Sequence, residues 1–380
     1  MVVEWGSQRD LFDVPDEVAY FNTASLSPSL HSVRAAGESA LRRRAQPWEI
    51  GETDWFADVE RLRTLAGRLV GGDAEGIALV PATSYGFAVA AANLRIEARQ
   101  QILVLAEEYP SGIYTWRRLA ERTGAGIRTV IRAPGQTWTE AVLAAIDERV
   151  GIVSVPNVHW TDGGLVDLEQ VAARTHAAGA RFVVDASQSL GVMPLDVTAL
   201  RPDFVVSVGY KWLLGPFGRG YLWVAEQHRQ GQPLEENWIL RAGSDDFAGL
   251  VDYRDEYLPG ARRYDQGART LFELTPMAVA ALEQVLAWGP SRIAATLTAV
   301  TDEIATRVTA AGLGVTVTEP RGPHLLGLRV PAGATDRVAT ALRAANCFVA
   351  RRGDAIRVSP HLHVTPSDVD RLVTTLVASL

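Results

Sequence analysis

The chain has 380 residues, of which 47% are hydrophobic and 21% charged, and this ordinary globular composition and length predict two domains. The formal net charge of -7 argues against a nucleic-acid partner, because phosphate binding needs clustered positive charge. The sequence has no apolar stretch of about 18 residues and no signal-peptide pattern at its start. Its single cysteine, Cys347, cannot form an internal disulfide. We therefore expect a soluble cytoplasmic protein with no membrane partner.

Short apolar runs alternate with longer amphipathic segments between residues 77 and 225. This alternation is typical of a mostly parallel sheet covered by helices. Helical patterns fill the gaps, for example at 85–94 and 168–179. The predicted strands are 77–81, 102–106, 127–131, 151–155, 181–185, 203–208 and 220–224.

The pattern changes after about residue 230, where a loop-rich stretch runs to residue 268. The last predicted helix has a capping-box start, with Thr365 as N-cap, Pro366 at the first helical position and Asp368 closing the box. We therefore predict a large α/β domain, 16–265, and a smaller α+β domain, 266–380 together with 1–15. The other elements predicted in this part are helices at 274–288, 291–312 and 334–345 and strands at 325–330 and 355–359.

Lysine is almost absent from the sequence, which contains 36 Arg and one Lys, Lys211. A coding bias toward Arg accounts for the scarcity without any functional role. Arg can replace Lys wherever only a positive charge is needed, but it cannot replace an amine that must lose its proton and form an imine. The count alone leaves both interpretations open, an accidental survivor and a catalytic amine.

Asp185 ends the predicted strand 181–185, and Lys211 follows the next predicted strand, 203–208. In an open parallel sheet both would lie at the carboxyl ends of strands, where ligands bind. A buried carboxylate needs a cationic or hydrogen-bonding partner. Pyridoxal phosphate requires such a pair, because its aldehyde joins a lysine and its ring nitrogen is kept protonated by a carboxylate. The alternative is a structural Asp and a surface Lys.

The segment ATSYG, 82–86, joins the first predicted strand of this region to a helix. Thr83 and Ser84 would place hydroxyls and free backbone N–H groups at a helix N-terminus, which favours anion binding. The simpler alternative is that they only cap the helix. Taken together, the sequence offers in order a phosphate site, a partner for a ring nitrogen and an imine-forming amine.

The sequence resembles the class V aminotransferase superfamily of fold-type I pyridoxal-phosphate enzymes. The segment 158–216, from VHWTDGG to YKWLLGP, is similar to kynureninase, cysteine desulfurase/selenocysteine lyase and isopenicillin N epimerase. The resemblance extends from AYFNTASLSPS, 19–29, to RVSPHLHVTPSDVDRL, 357–372. It implies an α/β large domain with a mostly parallel sheet between helices, a smaller C-terminal α+β domain, and a homodimer with active sites at the subunit interface.

The resemblance also implies roles for individual residues. Lys211 matches the Schiff-base lysine, Asp185 the pyridinium partner, and Gln188 the residue that hydrogen-bonds the ring oxygen near the imine. Tyr109 occupies the position that stacks on the ring, and Arg357 matches the arginine that clamps the substrate α-carboxylate. The remaining residues expected at the cofactor or the substrate are Thr83, Ser84, Trp160 and Tyr210 at the cofactor and Asn22 at the substrate.

Several positions depart from the desulfurase pattern. Val208 stands where a phosphate-binding Ser is common, Ala268 replaces a Thr that reaches the neighbouring subunit's phosphate, and Trp160 replaces an Asn and is closer to the aromatic residue of kynureninase. Cys347 lies in an apolar run, which indicates a buried structural thiol rather than the thiolate on a mobile loop that a desulfurase needs. The pair His361 and His363 lacks a carboxylate or thiol at ligand spacing, so we expect no metal.

These residues predict an enzyme that acts on an amino acid through a Lys211 Schiff base. The aromatic Trp160 and the lack of a loop thiol favour a lyase that cleaves a C–S or C–C bond in the side chain of its substrate, which would be of the cysteine, S-conjugate or kynurenine type. Class V transamination is the first alternative and amino-acid epimerisation the second. A non-enzymatic alternative, a cofactor-dependent binding or regulatory protein, conflicts with the intact Lys211, Asp185 and Arg357.

Overall fold

The structure, a computed structural model, describes residues 4–380, so residues 1–3 of the predicted small domain lie outside the described residues. The helices are α1 His31–Arg44, α2 Ala57–Leu69, α3 Thr83–Asn93, α4 Pro110–Thr123, α5 Trp138–Ala145, α6 Leu168–Ala177, α7 Val197–Leu200, α8 Leu274–Trp288, α9 Pro290–Ala310, α10 Thr335–Ala344 and α11 Pro366–Ala378. The strands are β1 Ala19–Tyr20, β2 Ile77–Val80, β3 Gln101–Leu105, β4 Gly126–Val130, β5 Val150–Pro156, β6 Arg181–Asp185, β7 Phe204–Val208, β8 Gly220–Val224, β9 Thr316–Val317, β10 Leu326–Arg329, β11 Cys347–Phe348, β12 Ala350–Arg352 and β13 Ala355–Val358.

A seven-stranded sheet forms the centre of the fold, in the order β2-β8-β7-β6-β5-β3-β4. Strand β8 pairs antiparallel with β2 and β7, whereas the pairs β7-β6, β6-β5, β5-β3 and β3-β4 are parallel. All seven strands predicted between residues 77 and 225 are present. The register pairs Asp185 with Val206, so β6 and β7 end side by side and bring their following residues to one edge of the sheet.

Alternate side chains of the central strands enter two different cores. In β6, Phe182 and Val184 belong to one core and Val183 to the other, and all three are fully buried. This is why these strands are continuous apolar runs rather than alternating ones: helices cover both faces of the sheet. The predicted α/β class is confirmed.

A smaller antiparallel sheet, β12-β13-β10-β9, packs with α9, α10 and α11 around a third core. Strand β1 pairs in parallel with β11 and adds Ala19 to that core. Helix α8 instead packs against α1 and α2. Part of the segment after residue 265 thus shares a core with the first part of the protein, and the domain boundary at residue 265 stays a prediction.

The start of α11 has the predicted capping box. The Asp368 N–H donates to Thr365 Oγ1 at 3.2 Å, and the Thr365 N–H donates to Asp368 Oδ2 at 3.0 Å. Two donors that would otherwise lack partners at the helix end are thereby satisfied. Among residues 4–380, no helix combines the length and the apolar character that crossing a membrane requires.

A buried ionic cluster connects α2 to the segment before α8. Asp265 is fully buried between two arginines, with Arg63 Nη2 at 2.7 Å and Arg269 Nη1 at 2.9 Å from its Oδ2. Its Oδ1 accepts the Leu79 N–H at 2.7 Å. The carboxylate therefore fixes strand β2, helix α2 and the turn that carries Ala268 relative to one another.

Candidate active site

Lys211 lies three residues beyond β7 and is only 8% exposed. It faces a narrow cavity at the edge of the sheet where β5, β6 and β7 end. The cavity contains two carboxyl groups, three aromatic side chains and one amine. It is lined by Thr83, Glu108, Tyr109, Pro156, Val158, Trp160, Asp185, Ser187, Gln188, Val208, Tyr210 and Lys211.

The surroundings of Lys211 make its amine easier to deprotonate than an ordinary lysine. Burial and the positive charges of Arg357 and Arg352 together lower the pKa of Lys211 to about 8, against the opposing charge of Asp185. Burial raises the pKa of Asp185, while the hydrogen bond from the Ser187 N–H at 2.8 Å and the charge of Lys211 oppose that shift. An amine that deprotonates near neutral pH can act as a nucleophile.

Aromatic rings form the walls beside the amine. The Tyr109 and Tyr210 ring centroids lie 5.4 Å and 5.8 Å from Lys211 Nζ. Trp160 meets Tyr109 edge to face at 5.6 Å, and its indole N–H donates to the Glu107 carbonyl at 2.6 Å. A flat ring bound at Lys211 would therefore have Tyr109 beside it, as a stacking role requires.

The N-terminus of α3 points toward the same cavity. Thr83 is buried and lines it, whereas Ser84 is exposed and does not. The N-cap residue, Ala82, has no side-chain acceptor, so the first backbone N–H groups are not capped. A Cβ on Gly86 would lie 2.8 Å from Val206, so glycine is what lets α3 approach β7 this closely. The helix start can hold an anion such as a phosphate.

Gln188 is held from several sides. Its Oε1 accepts the Trp212 indole N–H at 2.8 Å, and its Nε2 donates to the Ala24 carbonyl at 3.3 Å. A ring nitrogen of the fully buried His324 contacts the Gln188 carbonyl oxygen. These contacts fix the side chain at the cavity wall.

Arg357, on β13, reaches the site from the smaller sheet. Its Nη2 donates to Ser25 Oγ at 2.7 Å and its Nη1 to the Trp160 carbonyl at 2.8 Å. Asn22 lies in the same N-terminal loop and forms a bridge with Ser359, but it does not line the cavity around Lys211. Arg357 does not line the cavity either, but its hydrogen bond to the carbonyl of Trp160 brings it beside the cavity wall.

Four residues near the site were missed by the sequence reasoning: Ser25, Glu108, His159 and Arg352. Burial, with a contribution from Asp185, raises the pKa of Glu108 to about 7, and its Oε1 accepts the Tyr109 N–H at 2.7 Å. The signal for Glu108 was its position directly before the predicted stacking residue. The sequence carried no comparable signal for Ser25 or Arg352, which only the packing of the N-terminal loop against β12 and β13 brings together.

The residues that depart from the desulfurase pattern have definite places. Val208 lines the cavity, and Ala268 is exposed at the surface. Cys347 is 1% exposed, and burial raises the pKa of its thiol to about 12. His361 and His363 are fully buried, and His363 Nε2 lies 2.8 Å from the Tyr20 carbonyl oxygen. Burial holds the pKa of both histidines well below the usual range.

Known proteins resemble this chain in sequence and in structure, some of them over nearly its whole length. It is 28% identical to isopenicillin N epimerase of Streptomyces clavuligerus over 402 aligned positions, covering 99% of this chain and 98% of that protein. It is 29% identical to kynureninase of Deinococcus radiodurans, over 71% of this chain and 66% of that protein. A solved structure of a C-DES mutant, with glycine covalently linked to its PLP cofactor, matches with a TM-score of 0.87 at 17% identity and covers 97% of this chain and 98% of that one.

The family model described as Aminotransferase class-V matches residues 52–372, most of the sequence. The fold and the family expected from the sequence are therefore confirmed, and with them an enzyme of the family that uses pyridoxal phosphate. The chain belongs to the class-V aminotransferase family.

Proposed function

We propose that this enzyme links pyridoxal phosphate covalently to Lys211 and cleaves a C–S or C–C bond in the side chain of an amino acid. The observation that carries the proposal is the position of Lys211. Its amine is buried, has a lowered pKa and faces the same small cavity as Asp185 and Tyr109. No other lysine exists in the sequence to take this role.

The residues around the cavity fit pyridoxal phosphate. Asp185 is a buried carboxyl group that a protonated ring nitrogen would satisfy. The uncapped start of α3 with Thr83 suits a phosphate, and the Tyr210 hydroxyl can add a hydrogen bond to it. Val208 offers the phosphate no hydrogen-bonding atom, so the N–H groups of α3 carry more of the binding.

Each residue then has a task in the reaction. Arg357 holds the substrate α-carboxylate with its planar fork. The Lys211 amine would remove and return protons at the reacting carbons of the substrate. Asp185 keeps the ring nitrogen protonated. When bound, pyridoxal phosphate supplies a ring that accepts the electrons released at the substrate Cα.

Trp160 favours lyase chemistry over desulfurase chemistry. Its ring covers the cavity beside Tyr109, where an aromatic residue resembles the kynureninase pattern. Cys347, the one thiol in the protein, is buried on β11 with a raised pKa and is not available as a thiolate. Epimerisation is the second candidate, because isopenicillin N epimerase matches nearly the full length of the sequence; transamination is the third.

A homodimer also belongs to the proposal. Phe217 is 71% exposed, although its ring packs against that of Tyr210 with 4.6 Å between the centroids. Ala268, which lies three residues after the buried Asp265, is also exposed. The homodimer is what the resemblance to class V aminotransferases implies, and in such a dimer a second subunit would cover these exposed residues. Light scattering after gel filtration is expected to give twice the mass of one subunit, 41.1 kDa.

Borohydride reduction tests the covalent link. Treated with pyridoxal phosphate and borohydride, the protein is expected to carry one stable label, on the peptide that contains Lys211. The Lys211→Ala variant is the control and should carry no side-chain label. A wild-type protein that stays colourless and unlabelled would refute the proposal.

Product analysis separates the three reactions. Cysteine, its S-conjugates, kynurenine and alanine are each incubated with the enzyme, with and without a 2-oxo acid acceptor. A lyase releases the side-chain fragment without an acceptor, a transaminase turns over only with one, and an epimerase changes only the chirality of the substrate. Release of a fragment from none of these compounds, together with acceptor-dependent turnover, would replace the lyase by the transaminase.

A further inference from the structure

Two arginine side chains, Arg352 and Arg357, converge on one hydroxyl group beside the site. Arg357 Nη2 donates to Ser25 Oγ at 2.7 Å, and Arg352 Nη2 approaches the same oxygen at 3.4 Å. In addition to burial, both positive charges lower the pKa of Lys211. Three cationic side chains therefore share this end of the site.

Neither arginine forms an ion pair within residues 4–380, and the Nε of each is buried without a hydrogen-bond partner. Their neighbour Arg351, which is half exposed, is paired with Asp336. Arg357 is 1% exposed. Burying an unpaired charge is costly, and this applies to Arg357, whereas Arg352 is only partly buried. Two guanidinium groups without ion-pair partners at one hydroxyl favour the binding of anions.

The position of Arg352 relative to the aromatic wall defines where its anion would bind. Its guanidinium group lies 5.2 Å from the centroid of the Trp160 ring, and its Nη1 donates a hydrogen bond to the Arg351 carbonyl at 2.7 Å. These two contacts fix the orientation of the guanidinium group. Trp160 contacts Tyr109, which in turn lies beside Lys211. A side chain that extends from the reacting carbon along Trp160 would reach Arg352.

We propose that the substrate is an amino acid with a second anionic group on its side chain, bound by Arg352 while Arg357 binds the α-carboxylate. One carboxylate compensates the buried Arg357, and Arg352 remains free to bind a second oxyanion: a carboxylate, sulfinate or sulfonate. This inference rests on the proposed function, because it assumes an amino acid held at Lys211. It narrows the substrate class to short acidic amino acids and their sulfur analogues.

Binding of unreactive acids tests the inference. Succinate and glutarate carry two carboxylates, whereas butyrate and valerate have the same numbers of carbon atoms and carry one; all four lack an amine and cannot react. Calorimetric titration of the cofactor-loaded enzyme at fixed ionic strength gives their affinities. We expect at least one diacid to bind about tenfold more tightly than the monoacid of its length.

Variants test whether Arg352 causes the preference for diacids over monoacids. Arg352→Gln is expected to abolish the preference for the diacid and to change the monoacid affinity by less than about twofold, whereas Arg352→Lys keeps part of the preference. Arg357→Gln is expected to weaken both acids. Arg351→Gln, at the exposed neighbouring arginine, is the matched control and should retain the wild-type preference. Circular dichroism confirms that each variant is folded.

Two results would overturn the inference. Equal affinities for diacid and monoacid in the wild-type enzyme would show that Arg352 receives no second anion. Equal weakening of both acids by Arg352→Gln would show that Arg352 only supports Arg357. Failure of the proposed function looks different: Lys211 then stays unlabelled by borohydride, whatever the acids do.

Discussion

The indole N–H of Trp212 donates a hydrogen bond to Gln188 Oε1 at 2.8 Å, and both side chains are buried. Because Oε1 is engaged in this way, the amide presents its Nε2 donor to other partners. A donor is what the ring oxygen of the cofactor needs. The residue that directly follows Lys211 thus sets the orientation of a side chain expected at the cofactor.

Replacing Trp212 by Phe tests this orientation. The variant leaves the buried Gln188 Oε1 unpaired, at a cost of about 1 to 3 kcal/mol, and lets the amide turn. We expect lower stability in urea and a shifted pH dependence of the cofactor's visible absorption. Trp48→Phe, at a residue that is 79% exposed, is the control. An unchanged absorption titration in Trp212→Phe would argue against the orienting role.

The rate at which the protein without cofactor captures pyridoxal phosphate should follow the ionisation of Lys211. Its pKa of about 8, against an ordinary 10.5, means that the rate rises with pH up to about 8 and then levels off. Stopped-flow absorption measures this profile. Arg352→Gln removes a positive charge that lowers the pKa of Lys211, so the midpoint of the pH profile should move to higher pH in this variant. A midpoint at lower pH would contradict the assignment of the profile to Lys211.

The lowered pKa of Lys211 also predicts that the free energy of unfolding depends on pH. Between pH 8 and 10.5 the unfolded protein binds a proton at Lys211 that the folded protein has lost, so unfolding free energy without cofactor should rise with pH across this window. Urea titrations of the wild type and Lys211→Met at pH 8 and 10 measure the difference. The variant should lack the part of the rise that Lys211 contributes.

Glu108 should make the free energy of unfolding fall, rather than rise, as the pH increases. Its pKa is raised from 4.5 to about 7, so the folded protein binds a proton there that the unfolded protein has lost, and this contribution to stability falls as pH rises from 4.5 to 7. Each pKa unit corresponds to about 1.4 kcal/mol. Glu108→Gln should therefore gain stability relative to the wild type on going from pH 5 to pH 8. Glu97→Gln, at an exposed side chain, should show no such gain.

Cys347→Ala tests whether the thiol takes part in the reaction. Because the thiol is buried with a pKa of about 12, we expect the variant to keep its turnover and to lose about 1 kcal/mol of stability. Product release from the active substrate and urea unfolding are the measurements. A loss of turnover as complete as that of Lys211→Ala would restore the desulfurase interpretation.

Asp265→Asn tests the buried cluster. Removing the charge between Arg63 and Arg269 leaves the buried Arg269 without its ion-pair partner and Arg63 with Glu60 alone, and the loss of a buried partner costs about 3 to 5 kcal/mol in comparable pairs. Thermal and urea unfolding measure the loss. Glu121→Gln, which breaks an exposed pair with Arg118, should cost less than about 1 kcal/mol. Similar losses in both variants would contradict the special role of burial.

The sequence predicted the central sheet well because buried parallel strands are short apolar runs with clear limits. The run RFVVD predicted strand 181–185, and the structure has Arg181–Asp185. The capping box at Thr365 could also be predicted, because its residues lie within one turn of the helix start. Asp185 and Lys211 were predicted from the same local pattern, since Asp185 ends one strand of this sheet and Lys211 follows the next. The role of Tyr109 was implied only by the family resemblance.

Contacts between distant segments could not be predicted in this way. Ser25 meets Arg352 and Arg357 only because a loop near the start of the sequence packs against β12 and β13. Asn22 was expected at the substrate, but local pattern cannot decide which residue of such a loop faces the cavity. The assignments of individual site residues stay predictions that the variants above test.

The single lysine also provides a direct measure of unfolding. A lysine-specific protease can cut this protein at one bond only, Lys211–Trp212, and both residues are buried in the folded state. Cleavage into two fragments then requires the core to open, so its rate in native buffer reports how often it does so. Bound cofactor should slow the cut by stabilising the closed form and by blocking the amine that the protease recognises.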